Sequence, residues 1–203
     1  MFSLQKRGYR SCILRWKICV NKGNLISIIA KMSFLSEIAK ITDILFLSSA
    51  TAVTRDKLVK IGITDVINCT LDVPELQEPG IVTTRIMIDD TPQAQLEKHF
   101  DKVADEINSK ESAGGKVLVH CLAGISRSAT LCIAYLMKYK EMTLIDAHDL
   151  VKRKRPIIRP NTGFWKQLIE YEKRLFGCNT VKMVPSAIGF IPDIYKEETK
   201  NMI

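Results

Sequence analysis

A cysteine and an arginine six positions apart, Cys121 and Arg127, are the residues of this sequence best suited to chemistry. Residues 116–120, with three apolar residues in succession, precede the cysteine and are typical of a buried β-strand, and the apolar stretch 128–139 predicts a buried helix. The strand therefore delivers Cys121 to the edge of a sheet. A short loop that ends at Arg127 connects it to the N-terminus of the helix.

This loop is suited to binding an anion. It can curl so that successive backbone N–H groups point inward, which forms an anion-binding nest at a helix N-terminus. Gly124 permits the unusual backbone angles that such a curl needs. Arg127 adds a planar guanidinium that binds two phosphate oxygens at once. These positive surroundings favour the thiolate of Cys121, and a thiolate beside a bound phosphate is a nucleophile aimed at phosphorus.

Another cysteine shows why the position of Cys121 matters. A lone cysteine is usually a small buried apolar residue. That interpretation explains Cys132, which lies inside the predicted helix with Leu131 and Ala134. It does not explain a cysteine at the end of a strand with an arginine six positions on, so the strand–loop–helix pattern favours a chemical role for Cys121.

Predicted strands and helices alternate along the chain. Strands are predicted at 44–48, 64–69, 82–88 and 116–120, and helices at 54–60, 95–110, 128–139, 143–154 and 162–176. This alternation predicts an α/β single domain with a central, mostly parallel mixed sheet flanked by helices. We place the domain at residues 38–177 and expect the C-terminal tail, 178–203, to pack on it.

The N-terminal segment differs in charge from the rest of the chain. Residues 1–31 hold seven Lys or Arg and no Asp or Glu, and removing them from the net charge of +8 leaves +1 for residues 32–203. The nearly neutral body gives no reason to expect nucleic acid as a partner. We interpret residues 1–31 as a disordered basic extension, or as a stretch upstream of a true start at Met32. A mitochondrial targeting segment is the alternative.

The six cysteines are spread singly, without a CxxC pair or a Cys/His cluster at zinc spacing. We therefore expect reduced thiols in the cytoplasm or the nucleus, and neither a metal nor another cofactor. No apolar run approaches the ~20 residues that a transmembrane helix needs.

At the loop, the sequence resembles a known family. Residues His120–Ser128 match the protein tyrosine phosphatase motif HCxxGxxRS throughout. Further similarity to the small atypical dual-specificity phosphatases, most of all to the MAP kinase phosphatase 6 subgroup, lies at 129–138, 159–165, 167–169, 180–184 and 191–195. The resemblance runs from about residue 38 to the C-terminus.

The resemblance implies a protein tyrosine phosphatase-like fold and a protein phosphatase. Such an enzyme hydrolyses phosphotyrosine and phosphoserine or phosphothreonine through a phosphocysteine intermediate. The implied substrates are phosphorylated proteins, MAP kinases or other signalling proteins. The residues implied to bind the substrate phosphate are Leu122, Ala123, Gly124, Ile125, Ser126 and Arg127.

A general acid is also implied, on a loop before a proline. Asp90 occupies the matching position before Pro92, and Asp89 stands where the subgroup usually has a small residue. The leaving alkoxide or phenoxide needs a proton, and the same group can later accept one from the water that attacks the phosphocysteine. The alternative is that both carboxylates cap the helical region that follows.

Four further residues have implied supporting roles. Ser128 matches a hydroxyl that stabilises the departing thiolate, with a helix N-cap as the alternative. Asn161 matches a residue that braces the cysteine loop, and it is equally suited to cap the last helix. His120 is expected to be buried and hydrogen-bonded, holding the loop. Arg155 either lies near the pocket, where it attracts acidic flanks of the substrate, or is part of a solvated helix end.

Two other functions stay open at this point. A phosphatase of a non-protein phosphate ester, such as a phosphoinositide or an RNA end, often has additional basic residues inside the loop, where this sequence has Leu122, Ala123 and Ile125. A phosphopeptide-binding module with little activity would be marked by loss of the nucleophile, and Cys121 is present.

Overall fold

The computed structural model describes residues 35–199, so the extension predicted at residues 1–31 lies outside the described part. Its strands are β1 (Ala39–Lys40), β2 (Leu45–Ser49), β3 (Asp65–Asn68), β4 (Val82–Arg85), β5 (Val117–Cys121), β6 (Met183–Ser186) and β7 (Gly189–Pro192). Its α-helices are α1 (Arg55–Ile61), α2 (Phe100–Ser112), α3 (Arg127–Tyr139), α4 (Leu144–Lys154), α5 (Thr162–Phe176) and α6 (Lys196–Thr199).

Five strands form the central sheet in the order β1-β2-β5-β3-β4. Strand β1 is antiparallel to β2, and the other neighbours are parallel. The predicted mostly parallel mixed sheet flanked by helices is therefore confirmed. Because parallel strands run in one direction, the carboxyl ends of β2, β5, β3 and β4 meet at one edge, which is where α/β proteins usually bind ligands. Strand β5 lies in the middle of the sheet, so Cys121 reaches the centre of that edge.

Apolar side chains cover both faces of the sheet, because successive residues of a strand point to opposite sides. The larger core joins one face to helices α2–α5, and its strand members include Leu45, Leu47, Ile67, Val117 and Val119. The smaller core on the other face contains Phe46, Val66 and Leu118, with Leu58 of α1 and Ile63. This two-sided burial explains why the central strands are continuous apolar runs.

Contacts between distant residues set the start of α2. The sequence predicts a helix from residue 95, but the chain first makes a 3₁₀ turn, Leu96–His99, and α2 begins at Phe100. The side chain of Gln167 on α5 accepts a hydrogen bond from the backbone N–H of Glu97 and donates one to the carbonyl of Ala94. The first turn is thus tied to α5, which the local sequence does not reveal.

The tail contains structure that its sequence did not predict. Strands β6 and β7 form an antiparallel hairpin, with Pro185 and Pro192 at positions that a two-stranded ribbon tolerates. Val181 and Ile191 are buried in the larger core. The carboxylate of the fully buried Glu172 accepts hydrogen bonds from the backbone N–H and the hydroxyl of Thr180, which ties the start of the tail to α5.

The end of the tail packs beside the segment that follows α4. The ring of Tyr195 meets the ring of Trp165 at 5.6 Å and that of His148 at 5.8 Å. The guanidinium of Arg159 lies 4.5 Å from the centre of the Tyr195 ring and forms an ion pair with Glu198 at 2.8 Å. None of the described helices is both long and apolar enough to cross a membrane.

Candidate active site

Residues 122–126 form the loop between β5 and α3, and their carbonyl groups all have hydrogen-bond donors. The carbonyls of Leu122, Ile125 and Ser126 accept from the backbone N–H groups of Ala50 (3.2 Å), Arg159 (2.9 Å) and Thr130 (2.9 Å). Those of Ala123 and Gly124 accept from the side chain of Arg155. In a trans peptide the N–H points opposite to the C=O. The N–H groups that follow these carbonyls therefore converge on the inside of the loop, as an anion-binding nest requires.

Arg155 supports the loop from behind. Its Nε donates to the carbonyl of Gly124 at 2.8 Å, and its Nη2 donates to that of Ala123 at 3.1 Å. A third bond, from Nη1 to the carbonyl of Glu37, is 3.2 Å long. The residue is only 1% exposed. Arg155 therefore lies near the pocket, as one expectation had it, but a guanidinium buried behind the loop does not face acidic flanks of a substrate. The alternative, a solvated helix end, is wrong.

Gly124 lets the loop pass close to β2. Its φ is +67°, in the region that favours glycine. A Cβ atom there would lie 2.4 Å from the carbonyl oxygen of Ser48 and 2.8 Å from Nη2 of Arg155. A side chain at position 124 would thus collide with the sheet and with the arginine that holds the loop.

The sulfur of Cys121 is the point on which this end of the loop converges. Its Sγ accepts hydrogen bonds from the backbone N–H of Gly124 and from the hydroxyl of Ser128, both at 3.2 Å. Two donors are therefore aimed at this one sulfur. Ser128 lies inside α3, whose N-cap is Ser126, so the alternative that Ser128 caps this helix is wrong.

His120 lies beneath the loop, at the end of the buried strand. It is 3% exposed, and its Nδ1 lies 3.4 Å from the carbonyl oxygen of Cys121. Burial lowers the pKa of His120 to about 4. The imidazole is therefore neutral near pH 7, which suits a residue that holds backbone rather than one that moves protons.

The structure brings Asp90 beside the loop. One carboxylate oxygen accepts from the hydroxyl of Ser126 at 2.7 Å and from the side-chain amide of Asn161 at 2.9 Å. The other oxygen lies 3.6 Å from Nε of Arg127. The Asp90 side chain is 33% exposed, so it is accessible from solvent while its position is held by three neighbours.

Asp89 points elsewhere. Its carboxylate accepts the backbone N–H of Asp90 at 2.8 Å, and the residue is exposed. The N-cap position of the 3₁₀ turn that follows belongs to Gln95. Neither aspartate therefore caps the following helical region, and that alternative is wrong.

Asn161 performs both of the roles expected of it. Its side-chain oxygen accepts the backbone N–H of Phe164 at 3.0 Å and so caps α5. Its side-chain amide donates to Asp90, and its backbone N–H donates to the hydroxyl of Ser126 at 3.2 Å. The first turn of α5 thus contacts the cysteine loop and the aspartate loop together.

Arg127 is oriented toward the same space. It is 8% exposed, and its Nη1 donates to the carbonyl of Ile88 at 3.1 Å. Its Nε is buried and makes no hydrogen bond within residues 35–199. It faces the Asp90 carboxylate across 3.6 Å, too far for a hydrogen bond, so an incoming oxyanion can accept a hydrogen bond from it.

These features are those of a phosphate-binding loop with a cysteine at its base, and comparison with known proteins agrees. Residues 45–174 match the family described as dual specificity phosphatase, catalytic domain. The chain belongs to this family. It is a dual-specificity protein phosphatase, a hydrolase of phosphoproteins, and the predicted resemblance to the small atypical members is confirmed.

Relatives cover most of the chain. Dual specificity protein phosphatase 18 of Rattus norvegicus is 50% identical over 171 residues, covering 83% of this chain and 83% of that protein. Dual specificity protein phosphatase 14 of Mus musculus is 47% identical over 167 residues, covering 82% and 84%. The crystal structure of a mouse protein described as a dual specificity phosphatase, complexed with zinc tungstate, has a TM-score of 0.67 and 35% identity over 69% of this chain and 89% of that one.

Some parts of the site carry no sequence signal that would have singled them out. The carbonyl of Ile88 and the backbone N–H of Ala50 hold Arg127 and the loop, but every residue except proline has both groups. The hydrogen bond from Ser126 to Asp90 joins residues 36 positions apart. Only the fold reveals that they meet.

Cys69 lies next to the candidate nucleophile. Asn68 pairs with His120 across parallel strands, and the backbone N–H of Cys69 donates to the carbonyl of His120 at 2.8 Å. Neighbouring strands are about 4.8 Å apart, and disulfides span Cα distances of about 4.4–6.8 Å. Burial raises the pKa of Cys69 well above its ordinary value, so it is held as a neutral thiol.

We expect peroxide to inactivate the enzyme reversibly. Peroxide that enters the loop oxidises a thiolate at Cys121 to a sulfenic acid. The Cys69 thiol then displaces water from it to form a disulfide, slowly because that thiol stays protonated. Mass spectrometry of the oxidised, digested protein should show a Cys69–Cys121 peptide, and a thiol reductant should restore activity. Replacing the exposed Cys178 with serine should change neither result. A Cys121–Cys132 peptide in its place would contradict the assignment.

Proposed function

We propose that Cys121 is the nucleophile of a two-step phosphatase reaction. Its sulfur attacks phosphorus, an S–P bond forms, and the P–O bond to the substrate side chain breaks with its electron pair going to that oxygen. The observation that carries the proposal is the convergence of the Gly124 N–H and the Ser128 hydroxyl on the Cys121 sulfur, inside a loop whose carbonyls all have partners outside it.

The phosphate oxygens are bound by the N–H groups of the loop and by Arg127. The guanidinium is already oriented by the carbonyl of Ile88, so little ordering is needed when the ligand arrives. The mouse protein of the same fold was crystallised with tungstate, a tetrahedral oxyanion like phosphate. That complex supports a tetrahedral oxyanion as the ligand here.

Asp90 is the proposed general acid, and it donates a proton to the leaving oxygen. In the second step it accepts a proton from the water that attacks the phosphocysteine, and the S–P bond breaks with its electrons returning to sulfur. The hydroxyl of Ser128 stabilises the departing thiolate through the bond it already makes. No step in this scheme uses a metal ion.

The substrates we propose are phosphorylated signalling proteins, MAP kinases among them, in the cytoplasm or the nucleus. The resemblance of the tail to the MAP kinase phosphatase 6 subgroup supports the substrate class, and a reduced thiol at Cys121 requires a reducing compartment. The loop side chains Leu122, Ala123 and Ile125 are uncharged, and Leu122 is 55% exposed at the rim. A protein substrate that carries a single phosphate therefore suits this site better than a highly charged polyphosphate does.

Replacing Cys121 with serine should abolish phosphatase activity measured in the presence of a metal chelator, because a serine hydroxyl is a far weaker nucleophile than a thiolate. Arg127→Lys should lower kcat by ~10²–10³, since a point charge cannot replace a bidentate fork. Steady-state kinetics on a phosphotyrosine peptide checks both, with Cys178→Ser as the matched cysteine control. Full activity of Cys121→Ser would refute the mechanism.

Asp90→Asn should slow turnover of a phosphopeptide by ~10²–10⁴, the usual contribution of a positioned general acid. Its matched control is the neighbouring Asp89→Asn, which should cost much less because Asp89 does not contact the loop. The Asp90 effect should shrink for an aryl phosphate with a good leaving group. The fall in rate at higher pH should also flatten without this acid. If Asp89→Asn lost most of its activity and Asp90→Asn kept its own, the general acid would be Asp89 and the assignment to Asp90 would be wrong.

Phosphopeptides should be better substrates than phosphoinositides by at least about tenfold in kcat/KM, if uncharged loop side chains disfavour polyphosphates. A panel of phosphotyrosine, phosphothreonine and phosphoserine peptides, assayed beside phosphoinositides, measures this ratio. Ile125→Lys should move the ratio toward the phosphoinositides. A wild-type preference for phosphoinositides would favour the non-protein phosphatase instead.

A further inference from the structure

Gly163, the second residue of α5, lies against the backbone of the loop that carries Asp90. A Cβ atom at position 163 would lie 1.9 Å from the carbonyl oxygen of Pro92 and 2.5 Å from its carbonyl carbon and its Cα. Non-bonded carbon atoms prefer separations of about 3.5–4.0 Å. Any residue with a side chain at this position therefore forces α5 and the loop apart.

The loop, rather than the helix, would give way. The residues that follow Gly163, Phe164 and Trp165, are completely buried in the larger core. Pro92 and Asp90 are exposed to solvent. Moving α5 would disrupt close packing, whereas moving the loop outward displaces only water.

An outward shift at Pro92 acts on Asp90, which is two residues away. The Asp90 carboxylate is held by bonds of 2.7 and 2.9 Å to Ser126 and Asn161. Hydrogen bonds of this length do not survive a shift of about 1 Å. The contact at Gly163 and the hydrogen bond from Asn161 therefore attach the same loop to the start of α5 at two points.

We propose that Gly163 is a positioning residue for the general acid. Its missing side chain lets Pro92 approach α5 closely, and this approach sets the Asp90 carboxyl beside the phosphate-binding loop. The inference rests on the proposed function, in which Asp90 protonates the leaving group. It adds a residue that touches neither the substrate nor the reacting atoms.

The test is Gly163→Ala, assayed on two substrates that differ in their need for a proton. Turnover of a phosphothreonine peptide, whose alkoxide leaves only with a proton, should fall at least about tenfold, toward the ~10²–10⁴-fold loss expected for a missing acid. Turnover of an activated aryl phosphate should change less than about threefold. The fall in rate at higher pH should flatten, as in Asp90→Asn. Equal losses on both substrates would overturn the proposal.

The double variant Gly163→Ala/Asp90→Asn tests whether the substitution at Gly163 lowers turnover through Asp90. If Gly163 acts only through Asp90, the double variant should turn over the peptide as fast as Asp90→Asn alone. A further loss in the double variant would overturn the inference and leave the acid role of Asp90 intact. If Asp90→Asn itself shows no dependence on the leaving group, the proposed acid fails, and the inference fails with it.

Two controls separate positioning from stability. Gly177→Ala, at the other end of α5, strains a backbone with φ of +75° but meets no atom within 4 Å. It should lower the unfolding temperature and leave the ratio of the two substrate rates unchanged. If Gly163→Ala does not fold, Pro92→Gly acts from the loop side. It keeps the backbone atoms that contact Gly163 and removes the ring that fixes the backbone angle there, so the loop holds Asp90 less firmly. This variant should give the same loss, dependent on the leaving group, and an unchanged ratio in Pro92→Gly would count against the proposal.

Discussion

The site depends on one constraint: the carbonyl groups of residues 122–126 must have hydrogen-bond donors outside the loop. Only then can the N–H groups converge on the inside, because a buried carbonyl without a donor is costly. Arg155 satisfies two of these carbonyls while it is almost completely buried. Its positive charge also interacts favourably with a thiolate at Cys121. A single side chain therefore shapes the loop and adds to its positive potential, without facing the substrate.

The first turn of α5 joins this loop to the acid. Asn161 contacts Ser126 with its backbone and Asp90 with its side chain, and its remaining oxygen caps the helix. The nucleophile and the acid lie on separate segments of the chain, so their relative position is set by an element that belongs to neither. Because α5 is anchored in the larger core by Phe164 and Trp165, the core fixes the position of both segments relative to each other.

Cys121 and Arg127 could be placed from the sequence because they lie at the two ends of a loop between a strand and a helix, within a recognisable motif. Asp90 could be placed because the family resemblance implies an acid at that position before Pro92. The sheet could be predicted because buried parallel strands are apolar on both faces, as in β2 and β5. Arg155 could not be placed: in a run of four basic residues, nothing local distinguishes the one that turns inward. The hairpin β6–β7 was not predicted for a related reason, since it contains two prolines and proline is typical of loops and turns.

The packing of Tyr195 means that the support of the site is completed late in the synthesis of the chain. Tyr195 covers Trp165 and meets the guanidinium of Arg159, whose backbone N–H in turn holds the carbonyl of Ile125. It also comes after every candidate catalytic residue in the chain. Synthesis proceeds from the N-terminus, so a ribosome translates the whole catalytic motif before it makes the ring that packs behind it. A nascent chain that stops short of Tyr195 therefore has all of these reacting groups and lacks part of their support, which only a segment translated after them supplies.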